Sequence, residues 1–104
     1  MVVVLTGTDR VAVGGRLAES LGWDFVDGDQ GIDRLRESIR EWVAQRRNVV
    51  LAAPRRERLA VHPAVRFLHL VGADFVDWTR DVPVIDVDQP IDDVVDAART
   101  LISL

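Results

Sequence analysis

An α/β domain, with a parallel sheet covered by helices on both faces, is the fold class predicted by three features of this 104-residue sequence. Short aliphatic runs alternate with segments of helical periodicity, the pattern of repeated strand–helix–strand units. The run Val2-Val3-Val4-Leu5 is apolar without alternation, as in a strand buried on both faces. Glycine and proline punctuate the segments at Gly7, Gly22, Pro54 and Gly72. Strands that alternate with helices are joined by right-handed crossovers, and these put helices on both sides of the sheet.

Val2 to Leu5 is the first strand, ended by Thr6-Gly7. A helix follows from about Arg10 to Leu21, with Gly14, Leu17, Ala18 and Leu21 at three- and four-residue spacing. Gly14-Gly15 weakens it and Gly22 is its stop signal. Trp23 to Val26 reads as a second strand, followed by the polar turn Asp27-Gly28-Asp29-Gln30. The clearest helix runs from Ile32 to Arg46, with Ile32, Leu35, Ile39, Trp42 and Val43 on one face and mostly charged residues on the other. Val49 to Ala53 is a third strand, stopped by Pro54. A short arginine-rich helix or turn spans Arg55 to Ala60, and Val65 to Val71 makes a fourth strand. Ala73 to Asp81 is too short for a long helix, and Pro83 to Val87 is a fifth strand. Pro90 suits the first turn of a last helix, where its missing N–H costs nothing, and Ile91, Val94, Val95, Ala98, Leu101 and Ile102 form that helix's apolar stripe.

At this length one domain is expected, and a composition of 48% hydrophobic and 29% charged residues is globular with an aliphatic core. A net charge of −4 argues against a general nucleic-acid or anionic-membrane binder, since both need a positive surface. The absence of cysteine removes disulfides, thiolate nucleophiles and cysteine-ligated metals, which makes the cytoplasm the expected compartment. No apolar run approaches the ~18 residues of a membrane span, so a soluble protein is expected.

Parallel sheets bind ligands beyond the carboxyl ends of their strands, so the segments after each strand are the places to search. A phosphate-binding P-loop needs a glycine-rich turn, a lysine that reaches the terminal phosphates and a Ser or Thr on magnesium. In Leu5-Thr6-Gly7-Thr8-Asp9-Arg10-Val11-Ala12-Val13-Gly14-Gly15-Arg16 only Gly7 fits, and there is no Gly-Lys-Ser/Thr. Arg10 supplies charge, but Asp9 puts a carboxylate at the helix start, where it caps the free N–H groups and repels phosphate. Asp27 and Asp29 offer two carboxylates at a strand's carboxyl end, suited to sugar-like hydroxyls, to general-base work or to water-mediated magnesium; a solvated turn is the plainer reading. Arg55, Arg56 and Arg58 cluster after the third strand, roughly 20 Å from Arg46 and Arg47 before it, so the two groups are separate. His69 reads as a structural strand residue, and His62 and His69 have no zinc-ligand spacing. Ser20, Ser38 and Ser103 fall in helices, away from any nucleophile elbow.

The order of segments resembles the gluconokinase branch of the P-loop small-molecule kinases, with shikimate kinases as structural relatives. The matching pieces are Val3 to Gly7, Leu17 to Asp29, Asn48 to Ala52, Val65 to Leu70 and Val84 to Ile91, in family order over most of the chain. The resemblance implies a three-layer sandwich whose five-stranded parallel sheet has the order 2-3-1-4-5. It points to Asp27 and Asp29 as substrate-binding residues, with Arg55 and Arg56 as remnants of a basic segment. Against the family pattern the first loop is about three residues short and lacks the Lys and the Ser/Thr of a Walker A motif. Arg10 stands nearest the lysine position, so Gly7 and Arg10 are where nucleotide contact would persist. The segment between Leu70 and Val84 is too short for the family's arginine-bearing lid. Phosphoryl transfer works by positioning and charge neutralisation, and these losses together remove most of its means.

Three functions compete on this reading. The first is a non-catalytic relative that keeps the core fold and a small-molecule or partner site, with no catalytic residue, metal or cofactor. The second is a minimal ATP-dependent kinase for a carbohydrate or hydroxy acid, the one case that calls for ATP and magnesium. The third is a structural or assembly module. A small hydroxy acid, a protein partner and a second copy in a homodimer are the partners these readings admit.

Overall fold

The computed structural model describes residues 1–28, 32–53, 64–72 and 83–103. Its elements in chain order are β1 (Val2–Gly7), α1 (Arg10–Leu21), β2 (Asp24–Asp27), α2 (Ile32–Ala44), β3 (Val49–Ala52), β4 (Val65–Val71), β5 (Val84–Asp86) and α3 (Ile91–Ser103). The five strands form one sheet in the order β2-β3-β1-β4-β5, every neighbouring pair parallel, as expected. The second strand starts and ends one residue later than the sequence pattern suggests, and the first runs on through Gly7. That extension is set by pairing, because Thr6 and Gly7 continue the ladder opposite His69 and Leu70.

Alternate residues of the central strands face two separate cores. Val3, Leu5, Val50, Leu68 and Leu70 pack with Val13 and Leu17 of α1 and with Val94, Val95, Ala98 and Ile102 of α3. Val2, Val4, Val49, Leu51 and Val65 pack on the other side with Leu35, Ile39 and Trp42 of α2. Helices therefore cover both faces in three layers. Val2 to Leu5 are fully buried, which is why this run carries no polar alternation. Each such side chain contributes about 1.5–3 kcal/mol of burial free energy.

The two glycines that weaken α1 differ in role. A Cβ on Gly14 would stand 2.6 Å from the Phe25 ring, so this glycine lets α1 press on β2, whereas a Cβ on Gly15 would meet nothing within 4 Å. Gly22 closes α1 as expected, with the Gly22 and Trp23 N–H groups donating to the Glu19 and Ala18 carbonyls. No helix among the described residues is long and apolar enough to cross a membrane.

Candidate functional site at the carboxyl rim

The connection after β1 leads toward β2 on one side of the sheet, while β4 is followed in the chain by β5 on the other side. The topological switch point therefore lies between the carboxyl ends of β1 and β4, where open α/β sheets place their ligand crevice. Only Thr8 and Asp9 separate β1 from α1 there. The Thr8 N–H donates to the Leu70 carbonyl at 3.0 Å, so the turn lies down on the end of β4. Gly7 has φ +96, and a Cβ there would collide with the Leu70 carbonyl oxygen, so only glycine permits this approach.

Asp9 occupies the N-cap position of α1 but does not cap with its side chain. Its backbone is left-handed, φ 57 and ψ 23, and no side-chain cap hydrogen bond forms, which corrects the expectation that its carboxylate satisfies the first-turn N–H groups. A capping side chain needs an extended backbone to fold back onto the helix, and the two-residue turn denies Asp9 that conformation. Arg10 bends back so that Nη1 donates to the Gly7 carbonyl at 3.3 Å, and its Nε is buried without a hydrogen-bond partner. Beneath the turn, the Thr6 hydroxyl and His69 Nδ1 are 2.8 Å apart. This pair was invisible in the sequence, because nothing local fixes the β1–β4 register that sets Thr6 opposite His69.

Farther along the rim, Asp27 ends β2 with its side chain exposed, in register with Ala52 of β3. The next residue, Gly28, donates its N–H to the Ala52 carbonyl at 2.7 Å. Asp27 takes part in no hydrogen bond or ion pair among the described residues. Asp29, Arg55 and Arg56 lie outside the described residues, as do Arg58 and His62. The parallel ladder does bring the carboxyl ends of β2 and β3 side by side.

One residue that sequence reasoning passed over enters here. Arg36, in the second turn of α2, has a buried Nε with no partner, and it lines a groove of about 560 Å³ with Asp33, Arg34, Glu37 and Arg40. Its signal in the sequence was weak. It directly follows the core residue Leu35, which marks it as flanking the buried stripe, but that holds for most charged residues of an amphipathic helix. Because α2 starts after the carboxyl end of β2, its first turns stand at the rim that carries Asp27. Elsewhere Arg16 pairs with Asp92 at 2.8 Å, and that hydrogen bond, then the Asp92 charge, raise the Arg16 pKa further. No group of three His, Cys, Asp or Glu suited to a metal occurs among the described residues.

No protein-family model and no curated protein matches the sequence. Among solved structures, the chain is similar to a gluconokinase from Sinorhizobium meliloti 1021, with a TM-score of 0.68 and 18% identity, over 97% of this chain and 90% of that one. It is also similar to a de novo designed P-loop fold protein, with a TM-score of 0.58 and 12% identity, over 99% and 91% of the two chains. The fold is therefore of the P-loop kinase type. These neighbours show the fold and give no support to the shortened first loop or the missing lid expected from the family pattern.

Proposed function

We propose that this chain is a non-catalytic relative of the gluconokinase-like P-loop kinases, a core that holds a small hydroxy acid at its carboxyl rim and transfers no phosphoryl group. The observation that carries this reading is the two-residue turn between β1 and α1. A phosphate cradle is built from several successive backbone N–H groups that converge on an anion. Here the Thr8 N–H is spent on the Leu70 carbonyl, Gly7 is pressed against the same oxygen, and Asp9 sets a carboxylate beside the start of α1. A negative charge close to a helix N-terminus disfavours a phosphate there by repulsion. The turn and the start of α1, Thr8-Asp9-Arg10-Val11, hold no lysine to reach the phosphates of a nucleotide.

The ligand site rests on Asp27 and Arg36, two charged groups with no partner at the same rim. A guanidinium takes a carboxylate in a two-point hydrogen bond, and an aspartate accepts from hydroxyls, so a hydroxy acid satisfies both. Asp29, Arg55 and Arg56 join this site by their place in the sequence, after the second and third strands. Isothermal calorimetry with gluconate, shikimate and related hydroxy acids tests the reading. Binding to wild type, abolished by Asp27→Asn with Asp29→Asn and weakened at least tenfold by Arg36→Met with unchanged circular dichroism, supports it. No heat with any of these acids refutes it.

A second reading, a minimal kinase that uses Arg10 in place of the lysine, draws on one observation, the buried and unpartnered Arg10 Nε. Hydrolysis or transfer from ATP with magnesium, lost in Arg10→Met, is what that reading requires.

A further inference from the structure

Asp33, Arg36, Glu37 and Arg40 recur along α2 at three- and four-residue spacing, so they share one face of the helix, and Arg34 lines the same groove of about 560 Å³. Asp33, Arg34, Glu37 and Arg40 are exposed, and none of them is in an ion pair among the described residues. Two carboxylates and two guanidinium groups in water cancel in sign. Arg36 is left over, half-buried, with an Nε shut off from solvent and without a hydrogen-bond partner. The described lining of the groove therefore holds one uncompensated positive charge, at the point where water screens it least. A buried donor without a partner is costly, and an anion brought to it recovers that cost.

We propose that this groove takes one negative charge and refuses a second: Arg36 binds the carboxylate of an unphosphorylated hydroxy acid, and Asp33 and Glu37 turn away the phosphorylated form of the same acid. This rests on the reading of the rim as a hydroxy-acid site and adds to it a choice between ligands that differ by one phosphate. A monoanion on Arg36 leaves the described lining neutral. A phosphate ester brings about −1.5 to −2 more charge at neutral pH. That charge loses water on entering the groove, and no uncompensated cation remains among the described lining residues to offset the loss. Asp33 lies one turn before Arg36 and Glu37 directly follows it, so a second anionic group beside the bound carboxylate meets a carboxylate of the protein. Asp33 and Glu37 are specificity residues on this account, since they act by repelling one ligand rather than by holding the other.

Isothermal calorimetry of the whole chain with gluconate, with shikimate and with the phosphorylated form of each tests this. Wild type is expected to bind a free acid at least about tenfold more tightly than its phosphate ester. Asp33→Asn combined with Glu37→Gln removes both negative charges at exposed positions with little change of side-chain size, and native circular dichroism confirms folding. In this variant the preference for the free acid is expected to shrink by at least about tenfold, the phosphate ester gaining more than the free acid. Binding of a free acid together with equal or tighter binding of its phosphate ester to wild type overturns the inference and leaves the hydroxy-acid site standing. So does a preference that the folded double variant keeps undiminished. Heat from none of the four ligands overturns the hydroxy-acid site, and this inference with it.

Discussion

Thr6 and His69 face each other across the β1–β4 ladder, with the Thr6 hydroxyl 2.8 Å from the His69 Nδ1 and Thr6 only 4% exposed. This contact ties the two central strands at the point where β1 turns into α1. Replacing the hydroxyl by a methyl keeps the volume and loses the hydrogen bond. Thr6→Val is expected to destabilise the fold by about 1 kcal/mol, the usual net worth of one buried hydrogen bond. Urea unfolding followed by tryptophan fluorescence measures it, and a change within about 0.3 kcal/mol would show that the contact adds nothing.

The glycines give a paired test of the turn and of α1. Gly7→Ala places a Cβ against the Leu70 carbonyl at φ +96, so it should cost about 3 kcal/mol or more, strain and collision together. Gly15→Ala adds a Cβ in open space inside a helix, and should gain about 0.5–1 kcal/mol. Equal effects of the two substitutions in the same unfolding assay would contradict the described geometry.

Arg46 ends the turn after α2 in a left-handed conformation, φ 55, with its N–H on the Val43 carbonyl at 3.1 Å and the Arg47 N–H on the Trp42 carbonyl at 2.9 Å. An arginine pays a backbone penalty there that glycine avoids. Arg46→Gly is expected to raise stability by about 0.5–1 kcal/mol, seen as a higher urea midpoint at unchanged slope.

The alternation of apolar runs and helical stripes made the strands and main helices legible in the sequence. Local chemistry could not set the finer geometry. Asp9 stands where a cap belongs, yet its backbone angles come from how the Leu70 end of β4 receives the turn, a contact across 61 positions of chain between residues 9 and 70. Thr6 and His69 are likewise joined only by register. At the site, Asp27 was found because acidic turn residues after a strand are a recognisable pattern. Arg36 was not, because its isolation from any partner is a property of the packed groove and not of its neighbours in sequence.

Nucleotide binding separates a core without a phosphate-gripping turn from a working kinase, and thermal unfolding with and without ATP and magnesium measures it on the whole chain. A ligand present at 100 times its dissociation constant stabilises by about 2.7 kcal/mol. For a domain of this size that is a shift of more than about 10 °C, since each kcal/mol moves Tm by about 4–8 °C. With the Thr8 N–H held by Leu70 and the Asp9 carboxylate beside the start of α1, millimolar ATP with magnesium is expected to move Tm by less than about 1 °C. A dose-dependent rise of several degrees would contradict this and establish the chain as a nucleotide-binding protein.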